Sequence, residues 1–173
     1  MNGLWLLVPF LLVRFGLLAV LSREAVARAA HFAPMEGGER IAYGIYQLSN
    51  AAMFLYLAFL TVQTQPPLFF RAGLACCLSG LILCTASIAA FSAPSGEGPC
   101  TGGVYRFSRN PMYVSYFLYF AGMALLTRSA VLLGIVLVFQ ISAHWIILAE
   151  ERWCGETFGA SYRRYAERVR RYL

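Results

Sequence analysis

An all-α integral membrane fold, five transmembrane helices with a C-terminal amphipathic helix on the cytoplasmic side, is predicted by three observations. First, 60% of the 173 residues are hydrophobic and only 13% are charged. A soluble domain carries about a quarter charged residues, so the excess apolar surface needs a solvent other than water. Second, the apolar residues fall into five runs of helical length. Third, arginine is concentrated in alternate connections between those runs. All 14 basic residues are Arg and all 8 acidic residues are Glu. A net charge of +6 is compatible with nucleic acid. Its distribution in short pieces between apolar runs suits an anionic leaflet instead.

The runs are Leu4–Leu21, Tyr43–Val62, Ala72–Phe91, Met112–Leu126 and Ala130–Leu148, of 18, 20, 20, 15 and 19 residues. A bilayer core takes about 20 helical residues, with roughly 17 the usual minimum. The fourth is short by itself, but Pro111 suits a first helical turn and the preceding segment can continue the path. The first run, followed by Ala25–Ala30, raises a signal-peptide reading. The missing basic n-region, the length and Arg14 within the apolar core oppose it. Gln47 and Asn50 in the second run are expected to bond between helices. The five cysteines form no CxxC pair, and Cys76, Cys77 and Cys84 read as small core hydrophobes. Cys100 and Cys154 flank the polar cluster described below.

Orientation follows from the connections. Arg23, Arg28, Arg40, Arg106 and Arg109, with Arg152, Arg163, Arg164, Arg168, Arg170 and Arg171, put eleven arginines on one side. Arg71 and Arg128 put two on the other. The N-terminus is therefore expected outside and the C-terminus in the cytoplasm, as in a bacterial inner membrane. In the tail, Phe158, Tyr162, Tyr165, Val169 and Tyr172 are spaced 4, 3, 4, 3, the stripe of an amphipathic helix. It should lie on the leaflet or pack across the bundle end. The chain reads as one membrane domain, 1–173, made of a three-helix part (1–95) and a helical hairpin with its tail (96–173).

Only Thr127, Arg128 and Ser129 join the last two runs, which forces an antiparallel hairpin. Positions whose numbers sum to about 256 should share a depth, placing Arg106 opposite Glu150. The hairpin thereby brings "YRFSRNP" (Tyr105–Pro111) beside "AEER" (Ala149–Arg152). Guanidinium forks on Arg106 and Arg109 suit carboxylate or phosphate. Glu150 and Glu151 suit an ammonium or ribose hydroxyls. Tyr105, Tyr113 and Tyr116 offer faces to a cation, and the "CTGGV" turn lets backbone approach a ligand. Plainer readings exist for each: a Glu150–Arg106 salt bridge closing the hairpin, arginines as leaflet anchors, and His144 as a packing residue. Arg14, costly in mid-span, is expected to face the bundle interior or to snorkel, and holding a lipid phosphate is one role for it.

The motifs "GGVY" (Gly102–Tyr105), "RNPMY" (Arg109–Tyr113), Glu150–Glu151 and "FGASYRRYAERV" (Phe158–Val169) occur in an order and spacing that carry a resemblance. From Gly98 to Val169 the chain resembles the integral-membrane methyltransferases, the isoprenylcysteine carboxyl methyltransferases and phospholipid N-methyltransferases. The resemblance implies S-adenosylmethionine at the cytoplasmic ends of the last two crossings. Gly103, Val104, Tyr105, Arg109, Asn110, Pro111 and Tyr113 would line its pocket with one or both of Glu150 and Glu151. A lipid-like acceptor would enter from the bilayer, with Tyr116 and Arg14 as its contacts. Arg109, Glu150, Glu151 and His144 are the candidates for orienting the acceptor or taking its proton. Position 110 is Asn where the prenylcysteine enzymes have His. That favours the amine of phosphatidylethanolamine over a carboxylate or thiol acceptor of the isoprenylcysteine kind. An NADPH-dependent membrane reductase and a non-catalytic scaffold are the rival classes.

Overall fold

The computed structural model describes residues 1–21, 33–93 and 98–172. Arg23, Arg28, the Ala25–Ala30 stretch and the boundary at residue 95 lie outside the described residues. Among those described, the regular elements are all helices, with one isolated bridge between Asn2 and Thr61. Helix α1 (Gly3–Leu21) opens as a 3-10 turn whose Leu4 amide is capped by the Asn2 side chain. It widens into a π-helical stretch over Leu12–Leu17 before closing as an α-helix. Helix α2 is Gly38–Leu57, α3 is Pro67–Ser92, and a 3-10 turn covers Gly103–Arg106. Helix α4 is Pro111–Thr127, α5 is Ala130–Phe158 and α6 is Ala160–Arg168.

Three of these, Gly3–Leu21, Pro67–Ser92 and Ala130–Phe158, are long and apolar enough to cross a membrane, and α4 is a shorter apolar helix. Proline at the first turn starts α3 and α4, where its missing N–H has no helical partner to lose. The second run, expected over Tyr43–Val62, is helical over Gly38–Leu57 instead. Residues beyond Leu57 clasp the N-terminus: Asn2 Nδ2 donates to the Ala58 carbonyl at 2.8 Å, Gly3 N to Leu60 at 2.8 Å, and Val62 N to Met1 at 2.9 Å. Those bonds use backbone groups that a longer helix would keep for itself. Among the described residues Gln47 bonds within its own helix, its amide donating to the Tyr43 hydroxyl at 3.0 Å. Helix α5 runs ten residues past Leu148, so Glu150 and Glu151 are helical.

The most extensive helix pair is α3 against α4, followed by α2 against α5. Small residues make the first pair close. A Cβ on Gly80 would lie 2.7 Å from the Tyr119 amide nitrogen, and one on Gly122 would lie 2.6 Å from Cys77 Sγ. With lipid on the outside, such backbone proximity supplies the packing that holds two helices together. Gly80→Ala should lower the midpoint of thermal unfolding in detergent, at a cost of about 1–3 kcal/mol for overpacking. Gly134→Ala, where a Cβ meets nothing within 4 Å, should leave the midpoint unchanged or raise it slightly. Aromatic packing ties the remaining helices in: Phe10 stacks on Tyr119, Tyr46 stacks on Phe139, and Tyr119 OH donates to the Leu6 carbonyl at 2.6 Å.

Candidate active site at the polar end of the bundle

Glu150 and Glu151 stand one turn-fraction apart on α5 and therefore face different partners. Glu150 Oε1 accepts the Tyr113 hydroxyl at 2.8 Å. Glu151 Oε1 accepts Asn110 Nδ2 at 3.1 Å and lies 3.4 Å from Arg109 Nε. The expected pairing of Arg106 with Glu150 is not formed; Arg106 is exposed. Two physical reasons displace the simple depth count. Residues 107–110 are not helical, and Asn110 has φ −129°, ψ 52°, outside the helical region, so this stretch does not advance at α-helical rise. Side chains also lean toward a helix N-terminus. Tyr113 therefore leans outward from the start of α4, and Glu150 leans inward from the end of α5, until they meet.

Glu151 is the centre of a second network that includes the tail. Its Oε2 accepts Arg171 Nε at 3.0 Å and Nη2 at 2.9 Å. The neighbouring carbonyls are used as well. Asn110 Nδ2 donates to the Arg171 carbonyl at 3.2 Å, and the Arg109 amide donates to Arg170 at 2.9 Å. Glu151 and Arg109 keep only 12% and 13% side-chain exposure, so this charge cluster is largely removed from solvent. The Glu151 carboxylate holds the Arg171 guanidinium still more firmly protonated than usual. Gly159, with φ +53°, turns the chain between α5 and α6. The tail then packs across the bundle end, where Tyr165 OH donates to the Tyr105 carbonyl at 2.7 Å. Its burial pushes the Tyr165 phenol up, so it remains a donor.

Between these networks is a cavity of about 570 Å³. Of the residues singled out in the sequence, Tyr105, Arg109, Asn110, Tyr113, Tyr116, Glu150, Glu151 and Arg14 line it. Gly103, Val104, Pro111 and His144 do not. Gly103 has φ +55°, and a Cβ there would sit 2.9 Å from the Ala90 Cβ. It lets the turn lie against α3 and so places Tyr105. Pro111 is buried at the start of α4. His144 Nδ1 pairs with the Tyr172 hydroxyl, which docks the chain end on α5.

Other lining residues were not singled out for the site. Phe158, Tyr162 and Tyr165 come from the tail stripe, whose spacing was legible although its cavity face was not. Cys100 and Cys154 also line it, as their flanking positions suggested. Tyr46 from α2, Phe91 from α3 and Trp153 had no local signal. Tyr116 is only 7% exposed, and its hydroxyl has no hydrogen-bond partner among the described residues. The Arg109–Glu151 contact is an ion pair without an aligned Nε–H bond, leaving that donor unsatisfied too.

A bidentate pair latches α2 onto the same end: Arg152 Nη1 and Nη2 donate to Glu39 at 2.7 Å each, and Nη2 to the Pro34 carbonyl at 3.0 Å. The Arg152 hydrogen bonds hold the Glu39 carboxyl down to about 2 from its usual 4.5. A depressed folded-state value means that this stabilisation is complete above about pH 4.5 and lost as pH falls toward 2. Thermal midpoints measured over that window should decline more in the wild type than in Glu39→Gln.

These polar groups come from a segment that a family model recognises. The model described as phospholipid methyltransferase matches residues 69–161, from the first turn of α3 to the start of α6. Searches of curated proteins and of solved structures give no significant match. The matched segment exceeds half of the 173 residues and contains Tyr105, Arg109, Asn110, Tyr113, Glu150 and Glu151. Apolar spanning helices, the charged cavity at their end and this match agree: the chain belongs to the phospholipid methyltransferase family and is a membrane methyltransferase.

Proposed function

We propose that the protein transfers a methyl group from S-adenosylmethionine to the amine of a phosphatidylethanolamine-type lipid. The observation that carries this reading is the division of labour between adjacent carboxylates. Glu151 is bound into a charged network with Arg109, Asn110 and Arg171, whereas Glu150 is presented to the cavity with Tyr113 as its hydrogen-bond donor. The donor set fits a zwitterionic, nucleoside-like methyl donor. Arg109, with its unsatisfied Nε, and Asn110 would hold its carboxylate; Glu151 would take its ammonium or ribose hydroxyls. Tyr105 and Tyr113 supply aromatic faces for positive sulfur, while Gly103, Val104 and Pro111 set the backbone that carries them.

When bound, that group supplies a methyl on a positively charged sulfur, already activated for displacement. The protein has to align the acceptor and exclude water. Tail residues Tyr162 and Tyr165 close the cavity from the polar end. An amine nucleophile must also lose a proton, and the Glu150 carboxylate is placed to accept it. The membrane topology in this reading has five crossings, with α2 and α4 joining the three longer helices. Helix α4, at 17 residues, spans about 26 Å at 1.5 Å per residue, close to a 30 Å core. The N-terminus is outside, the arginine-rich end cytoplasmic, and the bilayer a bacterial inner membrane. Two guanidiniums on the cavity wall, Arg14 and Arg109, favour a second reading. In it the acceptor is the carboxylate or thiol of an isoprenylcysteine-like molecule; a carboxylate needs an orienting clamp and no base, whereas a thiol still has a proton to lose.

Purified protein in mixed-lipid vesicles, given methyl-labelled S-adenosylmethionine, separates these readings. Label in mono- and dimethylated phosphatidylethanolamine is expected. Label only in added isoprenylcysteine analogues would replace the amine reading with the second one. Absence of both label and cofactor binding would overturn the assignment.

A further inference from the structure

Arg14 lies outside the segment that the family model matches, on a helix that shares no motif with it. It nevertheless lines the same cavity. A guanidinium within an apolar helix is costly unless it faces a partner in the protein or a polar ligand. Among the described residues, no carboxylate forms an ion pair with Arg14. Its contacts are with aromatic rings: its guanidinium carbon is 5.8 Å from the Tyr116 ring centroid and 5.5 Å from that of Phe15. Ring faces stabilise the charge but satisfy none of the five N–H donors. The π-helical stretch Leu12–Leu17 carries Arg14, and such widened turns occur mostly at functional sites.

A second, independent observation points to a ligand at the same place. The Tyr116 hydroxyl is buried, borders the cavity and has no partner among the described residues. A buried donor left unmade is destabilising, so a bound acceptor atom would recover what the protein alone does not. Glu150, of the opposite charge, lines the same cavity.

We infer that Arg14 and Tyr116 form an anion subsite that holds the phosphodiester of the acceptor lipid, with its ammonium directed to Glu150. This rests on the methyltransferase reading above and extends it to the orientation of the acceptor. A guanidinium and a phenol hydroxyl both donate to anionic oxygen, and Glu150 accepts from an ammonium. Positive and negative groups in one cavity select a headgroup that carries both charges. An amphiphile with an amine and no anion would lack half of the recognition. A carboxylate has the same charge chemistry as a phosphodiester, so both sources belong in the test.

Arg14→Gln, Arg14→Lys and the wild type are titrated in nonionic detergent with dihexanoyl-phosphatidylethanolamine, with dodecylamine and with farnesylcysteine. S-adenosylmethionine affinity is measured on the same preparations, with Arg71→Gln as a control for loss of one positive charge at the other end of the bundle. Arg14→Gln should bind the zwitterionic lipid at least tenfold more weakly, with KM rising more than kcat falls. Its affinities for dodecylamine and for the cofactor should stay within threefold of wild type. Arg14→Lys should recover most of the loss, and Arg71→Gln should behave as wild type. Unchanged lipid affinity in Arg14→Gln would overturn the subsite. So would loss of cofactor binding in that variant unrestored by Lys, because the residue would then be structural. A larger Arg14 dependence for farnesylcysteine than for the lipid would overturn the phosphodiester assignment. Failure of the wild type itself to bind the cofactor would instead overturn the underlying methyltransferase reading.

Discussion

Glu151→Gln is expected to release the C-terminal tail and remove tight cofactor binding together. One carboxylate accepts from Asn110 and from two nitrogens of Arg171, and lies 3.4 Å from Arg109 Nε. Glutamine keeps one oxygen, turns the other position into a donor facing guanidinium, and removes the charge. Breaking a buried pair from one side costs roughly 3–5 kcal/mol, because the surviving charge stays uncompensated. Arg171 is 35% exposed and partly resolvates, so about 2 kcal/mol or more, ~30-fold in docked tail, is the reasonable scale. Limited trypsin digestion reads the first consequence, because cleavage among Arg163, Arg164, Arg168 and Arg170 should accelerate. Equilibrium binding of S-adenosylmethionine reads the second and should weaken by a similar factor. A variant that stays protease-resistant and binds the cofactor normally would remove Glu151 from both roles.

Glu150→Gln should behave differently despite being the adjacent residue. Its single described hydrogen bond is from the Tyr113 hydroxyl, and a glutamine oxygen still accepts that bond. The tail network does not include it, so trypsin resistance and folding should be close to wild type. What disappears is a carboxylate able to receive a proton from an acceptor amine. A positioned base contributes roughly 10²–10⁴-fold, and methylation of an amine acceptor should fall by that order while cofactor affinity changes less than tenfold. Single-turnover methyl transfer with prebound cofactor is the measurement. Near-normal turnover in Glu150→Gln would favour an acceptor that arrives without a proton to lose, such as a carboxylate. The two neighbours thus separate binding from chemistry, which fixes the order in which they should be tested.

Much of the site could be read before the fold was known. Asn110, Pro111 and Tyr113 lie at a helix start because proline has no amide to lose there, and the three-residue link forced that start beside Glu150–Glu151. What failed was the register. Arg106 was placed opposite Glu150 by counting residues, but the non-helical backbone before Pro111 and the opposite lean of side chains on antiparallel helices brought Tyr113 there instead. His144 was read both as a candidate base and as a packing residue, and nothing in the sequence chose between the two. Its partner, Tyr172, is 28 positions away, and nothing local indicates that contact. Gly73, Gly80 and Gly122 looked like ordinary components of apolar runs. Their close approach to Leu126, Tyr119 and Cys77 is a property of two helices at once.

By itself the sequence determined the membrane class, the helical architecture and the family, because these depend on run length, composition and local motif order. The tertiary structure decided the assembly of the cavity. Tyr46 from α2, Arg14 from a widened turn of α1 and the tail tyrosines reach it through packing between segments distant in the chain. A side chain's role there depends on which charge stands across the cavity, and that separation is set by helix packing and side-chain direction, which no local spacing encodes.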